Sequence, residues 1–531
     1  MAILAMTTSS NGPATETLQS QPDSPAAPAP ETEVFAVFGV EPEVQAYAMA
    51  KYSRSALSMK ESLREISEQK AEKFLNTFYF QYGHRSIADL AHIAMAVEKL
   101  SMLAAIILVD EQRWDGQERS TRYQDFKKSG YYVPDFRGDE AALRDYRDTI
   151  RFLFQEYEVL SEGMFRHLGE RTPKPAEMKQ DAYERTLRAR AFDISRYLLP
   201  LAANTSLGQI VNARTLETQV ARLLSSPYAE VRRLGERLKT AAREAAYNVN
   251  QEKFAALVEQ VRARDPELGT RAEQELLKVV KAAPTLVKYA EANQYEIDTR
   301  VDLAQAAAEL MRDEPVAPAQ PVDLLTDEPL EIELPTTLLY EHCHYPYRQL
   351  RKHVESLSDT RRKEITDLGT RHRGPHDELL RAFSAGQKFR FDILMDVGGF
   401  RDLHRHRRCI QIGQGFTSAH GYDTPDDVIA AGSAVAERYH AAMHRASETA
   451  DNVSARLAKA GLSDAAHSMH YLLPLAYRKR TLFKMDFAEV LYISELRTGP
   501  AGHFSYRNVA YAMYQAVAQR YPSLEHHFRV T

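Results

Sequence analysis

The hexapeptide Tyr-Leu-Leu-Pro-Leu-Ala occurs twice in the chain, at residues 197–202 and 471–476. The likeness runs on without gaps. Arg196 through Pro200, followed by Asn212-Ala213-Arg214, lines up with His470 through Pro474, followed by Asp486-Phe487-Ala488. The apolar frame is kept and the polar positions have diverged. An internal repeat at matching places in two halves is the mark of a duplicated unit, so both halves must adopt one fold.

The punctuation of the chain agrees with two halves. Residues 1–33 are rich in Ser, Thr, Pro, Ala and Gln and hold few large apolar side chains. Such a segment cannot bury enough surface to offset its ordering entropy and reads as a disordered tail. A proline-rich stretch at 312–328 reads as a linker. The expected organisation is a first domain at 34–311, including a helical C-terminal extension, and a second at 329–531. With 531 residues, two sizeable cores are within reach.

Apolar residues at three- and four-residue spacing predict helices over 86–109, 140–168, 216–247, 272–291 and 427–460. Strands are expected near Phe35–Val40, Arg119–Phe126, Ile332–Leu339 and Arg408–Phe416. The fold class is therefore α+β and helix-rich, not an alternating βαβ wind.

Charge and motifs narrow the function. The formal net charge of −5 gives no global field for nucleic acid or acidic lipid. No apolar run approaches the roughly 20 residues that cross a bilayer, and the N-terminus lacks the pattern of a secretory signal. Cys343 and Cys409 are the only cysteines, which excludes a disulfide scaffold and suits a reducing cytoplasm. Glu341-His342-Cys343-His344 has no second ligand pair, so no metal centre is expected. Dinucleotide, P-loop and nucleophile-elbow motifs are all missing.

Candidate chemistry is split between the halves. Of eighteen histidines, fifteen follow the linker. The run Arg401-Asp402-Leu403-His404-Arg405-His406-Arg407-Arg408 offers guanidinium forks for phosphate oxygens, or a solvated basic face. In the first half, Ser120 and Arg122 would share one face of an extended segment, with Tyr123 on the other. A hydroxyl beside a guanidinium suits a phosphate or a carbonyl group, and equally a polar sheet edge.

Together these residues resemble the flavin-dependent thymidylate synthases (ThyX). That family's hallmark is similar to R-H-R with a later S-x-R-Y, preceded by G-H-x-S-x-x-[ED] and followed by R-x-x-x-P, N-x-R and a late L-R. The first half fits with Gly83, His84, Ser86 and Asp89, then Glu98 and Ser101, Ser120, Arg122 and Tyr123, Arg196 and Pro200, and Asn212 and Arg214. It has Asp110-Glu111-Gln112 in place of R-H-R, and Leu223 for the late arginine. The second half keeps Arg405-His406-Arg407 and Leu496-Arg497. It has Gly415 for the serine, Thr417-Ser418 for R-Y, His470 for the earlier Arg, Asp486 and Ala488 for N-x-R, and Arg381-Ala382-Phe383 where the early element should be. Each half retains much of what the other has lost.

The resemblance implies two tandem ThyX-like domains forming a pseudo-dimer, and two chains forming a pseudo-tetramer. It implies bound FAD, with NADPH and methylenetetrahydrofolate as co-substrates, and reductive methylation of dUMP to dTMP without a cysteine nucleophile. By resemblance, Ser120, Arg122, Arg196 and Arg497 hold dUMP, with Arg497 polarising the pyrimidine and Ser120 and Arg122 in the catalytic set. Arg405, His406, Arg407, His84, Ser86, Asp89, Asn212 and Arg214 face the flavin. A composite site would draw R-H-R from the second half and S-x-R-Y from the first. The sibling site, with acids at 110–112, would repel a flavin diphosphate. Two other readings stay open: a degenerate relative that binds nucleotide or flavin without turnover, and methylation of a different pyrimidine nucleotide. The lone Trp114 falls in the altered segment and could report on binding.

Overall fold

The helical spacing over 86–109 turns out to be a strand with a bulge. In the computed structural model, a short 3₁₀ turn (Arg85–Leu90) leads into β1 (His92–Ser101) and then helix α1 (Met102–Leu108). Ile93, Met95 and Val97 alternate inward. At Lys99 the backbone takes a φ of +59° and the register slips between Glu98 and Leu100. One extra residue therefore sets Val97 and Leu100 three apart, which imitates a helix in the sequence. Described here are residues 39–51, 60–61, 63, 85–288, 290–325, 329–374, 377, 380–383, 389–462 and 466–531. The strand expected at Phe35–Val40 lies almost wholly outside them; Gly39 and Val40 form a bend.

After α1, strand β2 (Asp115–Glu118) precedes the long helix α2 (Glu140–Arg171), then α3 (Gln180–Ser195), β3 (Asn204–Asn212), α4 (Ala213–Leu224) and α5 (Ala229–Arg243). The strands form one antiparallel sheet in the order β1-β3-β2. The strand expected at Arg119–Phe126 does not form: β2 stops at Glu118 and residues 121–124 turn away, so Ser120 and Arg122 do not share the face of an extended segment. The predicted helix over 216–247 is two helices, broken around Pro227. Three helices follow: α6 (Gln251–Arg262), α7 (Pro266–Leu276) and α8 (Gln294–Leu310). The apolar run at 272–291 is helical only to Leu276.

The second half repeats the plan. Strand β4 (Val322–Leu325) lies within the stretch read as linker and pairs with β5 (Phe389–Asp396). Helix α9 (Leu330–Tyr340) replaces the expected strand at Ile332–Leu339. Its helical period aims Glu333, Thr337 and Tyr340 at the sheet. Glu333 is buried there against Arg390 and Lys484, each at 3.1 Å. Then come α10 (Val397–Leu403), β6 (Ile410–Gly413), α11 (Ser433–Lys459), β7 (Arg478–Met485), α12 (Phe487–Thr498) and α13 (Phe504–Arg520). The sheet order is β4-β5-β7-β6, so β5-β7-β6 matches β1-β3-β2.

The correspondence reaches single residues. A shift that carries Tyr197 to Tyr471 carries Asn212, the N-cap of α4, onto Asp486, the N-cap of α12. Ser101 caps α1 as Asp396 caps α10. The repeated hexapeptides meet each other. Pro200 bridges Pro474. Leu201 N–H donates to Leu473 O and Leu475 N–H to Leu199 O, both at 2.9 Å, while Ala202 N–H donates to Tyr471 O and Ala476 N–H to Tyr197 O. Each bond has a reciprocal partner under the same shift, the signature of a local twofold relation. Residues 41–531 pack as one unit. Among the described residues, no helix is long and apolar enough to cross a membrane.

Ser101 joins two of these devices. Its Oγ accepts from Ala104 N–H and donates to Glu230 of α5 at 2.6 Å. Burial raises the Glu230 carboxyl above its ordinary range. Ser101→Ala should lower stability by about 1–2 kcal/mol, the usual cost of a lost cap, read as a shift in the urea midpoint. No shift would mean that the cap is dispensable.

Candidate functional site at the junction of the repeats

Arg122 follows β2 in the first repeat and reaches into the second. Its Nε donates to Asp193 Oδ1 at 3.0 Å, Nη1 to Tyr506 Oη at 3.1 Å and Nη2 to the Ala501 carbonyl at 3.1 Å. Ser120 Oγ accepts from Arg122 N–H, which fixes the turn. From the other side, Arg497 at the end of α12 places its guanidinium 5.4 Å from the centre of the Tyr506 ring, where Arg122 stands at 5.9 Å. Arg497 Nε donates to His406 Nε2 at 2.8 Å, and Nη2 to the Asp402 carbonyl. Accepting at Nε2 requires a neutral imidazole. Burial pushes the His406 pKa down, which agrees. Its Nδ1 faces Glu489 at 3.5 Å.

Arg196 is almost wholly buried. Its Nη1 donates to Thr121 Oγ1 at 3.3 Å, and Arg401 of the second repeat donates to the same oxygen at 3.4 Å. Arg401 also pairs with Glu118. Arg196 Nη2 and Arg401 Nε are buried without a hydrogen-bond partner among the described residues. Unfilled guanidinium donors inside a protein are costly, and they mark where an anion would be welcome. Asp193 is the hub. It takes Arg122 and Arg196 on Oδ1 and His503 Nδ1 on Oδ2 at 2.8 Å, while His503 Nε2 meets Tyr197 Oη at 2.9 Å. Burial pushes the Asp193 carboxyl up, and the charges of Arg196, His503 and Arg122 more than reverse this, holding it well below the carboxylate range. Four arginines thus converge on a patch whose paired acids are Asp193 and Glu118. Asp402 stands near Arg122 as well.

Of the residues expected to face the flavin, Arg407 and Asn212 come together. A cavity of about 260 Å³ is lined by His92, Trp114, Ile210, Asn212 and Arg407, among others. Arg407 lies 5.0 Å from the Trp114 ring. Burial pushes its pKa down to about 10, and its Nε has no hydrogen-bond partner among the described residues. Asp89 pairs with Arg113 at 3.5 Å and with Arg214 at 3.3 Å. Asn212 is held in part by its own helix, since Oδ1 caps α4 through Thr215 N–H. Arg405 is exposed and makes no ion pair among the described residues. His84 lies outside the described residues, and so does the side chain of Ser86.

One expectation changes. Asp110-Glu111-Gln112 does not form a separate acidic site. Together with His404, His406 and Arg407 of the second repeat it lines one small pocket. Arg381 bonds Asp110 at 2.7 Å, and Arg222 pairs with Glu111 at 2.8 Å. The acids are therefore neutralised where they stand, and repulsion of a flavin diphosphate does not follow from them.

Asp193, Arg401, Thr121, His503 and Tyr506 escaped the sequence reading. Arg401 opens the basic run that the sequence offered for phosphate oxygens, but it was not singled out from that run. Asp193 precedes Arg196 by three residues, a helix-neighbour spacing that could have flagged it.

The family model described as thymidylate synthase complementing protein matches residues 38–246 and 352–523. A UPF0159 protein of Chlamydia pneumoniae is 27% identical over 94% of this chain and 91% of its own length. One from Thermoplasma acidophilum is 24% identical over 90% and 93%. A flavin-dependent thymidylate synthase of Clostridium tetani is 28% identical over 33% of this chain and 67% of its own. Among solved structures, the ThyX of Helicobacter pylori complexed with FAD and dUMP overlaps at a TM-score of 0.26, with 16% identity over 38% of this chain and 89% of that one. With both halves matched, the chain belongs to the thymidylate synthase complementing protein family, the ThyX family, in a tandem form.

Proposed function

We propose that the chain is an FAD-dependent thymidylate synthase that methylates dUMP to dTMP with methylenetetrahydrofolate and NADPH, at a site shared by its two repeats. The observation that carries this is the convergence of Arg122 and Arg196 from one repeat with Arg401 and Arg497 from the other. In this reading the unfilled donors of Arg196 and Arg401 take the nucleotide phosphate. Arg497, held by His406 and the Asp402 carbonyl, faces the pyrimidine oxygen where negative charge grows. Ser120 and Arg122 complete the nucleotide side. Arg407, Trp114 and Asn212 offer the flavin a cation, an aromatic face and an amide. The flavin, when bound, supplies the electron and one-carbon chemistry. Neither thiol competes as a nucleophile, because burial raises Cys343 to about 11 and Cys409 to about 12.

The reciprocal bonds around Pro200 and Pro474 support reading the chain as a pseudo-dimer of domains 34–311 and 329–531, joined by 312–328. Two chains would then give the pseudo-tetramer, working in the cytoplasm on small molecules alone.

The test is the visible flavin spectrum during dUMP titration, followed by release of the C5 hydrogen. Flavin bands that shift, with hydrogen release, bear the reading out. Flavin and nucleotide binding without hydrogen release would leave a binding protein, and release from another uracil nucleotide would change the substrate. Because Trp114 is the only tryptophan, FAD entering beside it should quench the protein's emission. Arg407→Gln should weaken that quenching at least tenfold. Unchanged emission on saturation with FAD would remove Trp114 and Arg407 from the flavin site.

A further inference from the structure

The shift that superposes the repeats carries Arg196 and Asp193 onto His470 and His467, and the shift that carries Ser101 to Asp396 takes Thr121 onto Phe416. Two positions of the arginine cluster, Arg196 and Asp193, are thus imidazoles in the second copy. The His467 and His470 rings stand 5.1 Å apart, and Tyr228 Oη lies 2.8 Å from His470 Nδ1. Lys479 on β7 is more than nine-tenths buried, with Nζ 4.6 Å from the Phe416 ring. It donates to the Gln414 carbonyl and has no carboxylate within ion-pair distance among the described residues. His420 is about nine-tenths buried, its Nε2 has no hydrogen-bond partner among the described residues, and its ring stands edge-on to His344.

His344, His467 and Lys479 act electrostatically on His470, and His344 and Lys479 act on His420, so the five groups share one neighbourhood. His344 and His467 open it to solvent. The other charges that bear on it are Arg478 and Arg480, beside His420, and Asp110 and Glu341, which act on Lys479 without pairing. A buried ammonium whose hydrogen-bond partner among the described residues is a single carbonyl, beside the Phe416 and Phe400 rings, is expensive, and an imidazole nitrogen without a partner adds to the cost. An anion would relieve both. Burial lowers Lys479 to about 8, so it still carries its charge at neutral pH, while His420 and His470, lowered by burial, act as neutral N–H donors.

We propose that this second copy binds a phosphate group, free or on a nucleoside monophosphate, with Lys479 supplying charge, His420, His467 and His470 supplying donors, and Tyr228 and Phe416 supplying aromatic walls. The inference rests on the repeat, not on the reaction at the first site.

The test is calorimetric titration of the full chain with inorganic phosphate and, separately, with dTMP. The Arg122→Gln background weakens the arginine cluster. That protein should keep one binding event per chain, and adding His470→Gln or Lys479→Met should weaken it at least tenfold. His467→Gln, at an exposed position that folding tolerates, should weaken it at least threefold. Tighter binding of dTMP than of phosphate assigns a nucleotide, and equal binding assigns the free anion. No binding in the Arg122→Gln background, or binding unaltered by these changes in folded protein, would overturn the proposal.

Discussion

Arg497→Gln is expected to cut kcat/KM for dTMP formation about 10³-fold, at the upper end for loss of one preorganised donor to a growing negative charge. The guanidinium is held on two sides, by His406 Nε2 and the Asp402 carbonyl, so it is already oriented before a ligand arrives. Glutamine can replace a hydrogen bond but not the charge. FAD binding, followed by the flavin spectrum, should change less than threefold, because the Arg407 cavity does not include Arg497. A variant that keeps more than a tenth of wild-type activity would remove Arg497 from the reacting site.

Asp193→Asn should destabilise the ligand-free protein by about 2–4 kcal/mol, below or within the range for removing one partner of a buried ion pair. The carboxylate serves Arg122, Arg196 and His503 together, and asparagine leaves the two guanidinium groups crowded without their anion. Inorganic phosphate should return part of the lost thermal stability, more in the variant than in the wild type, since it restores a negative charge to the cluster. The pH dependence follows from the same group. Its folded pKa is depressed, so its contribution is fully present above the ordinary carboxylate pKa of about 3.9 and is lost as the pH falls below it. A variant as stable as the wild type at pH 7 would show that the arginines need no hub.

Much of this arrangement was legible in the sequence because duplication preserves spacing. The hexapeptide, the two N-caps at 212 and 486 and the complementary motif losses all survive as offsets. The long helix α2 was readable from its period. What could not be read came from contacts between distant segments. The bulge at Lys99 turned a strand into a helical pattern. Glu333, polar in the sequence, is buried against cations contributed from β5 and β7, in a helix α9 that stands where a strand was expected. The acids at 110 and 111 looked repulsive because Arg381 and Arg222, 271 and 111 residues away, gave no local sign of meeting them. The resemblance casts Asn212 as a flavin ligand, whereas the structure shows its Oδ1 capping α4.

The central claim is that one site needs both repeats. The most direct test is a double-mutant cycle on C5-hydrogen release with Arg122→Gln, Arg497→Gln and the double variant. Groups that act on one bound substrate are strongly non-additive, so the double variant should be little worse than the more damaged single one. Multiplicative losses, or a single variant that keeps about half of the wild-type rate because a second site still works, would contradict a shared site.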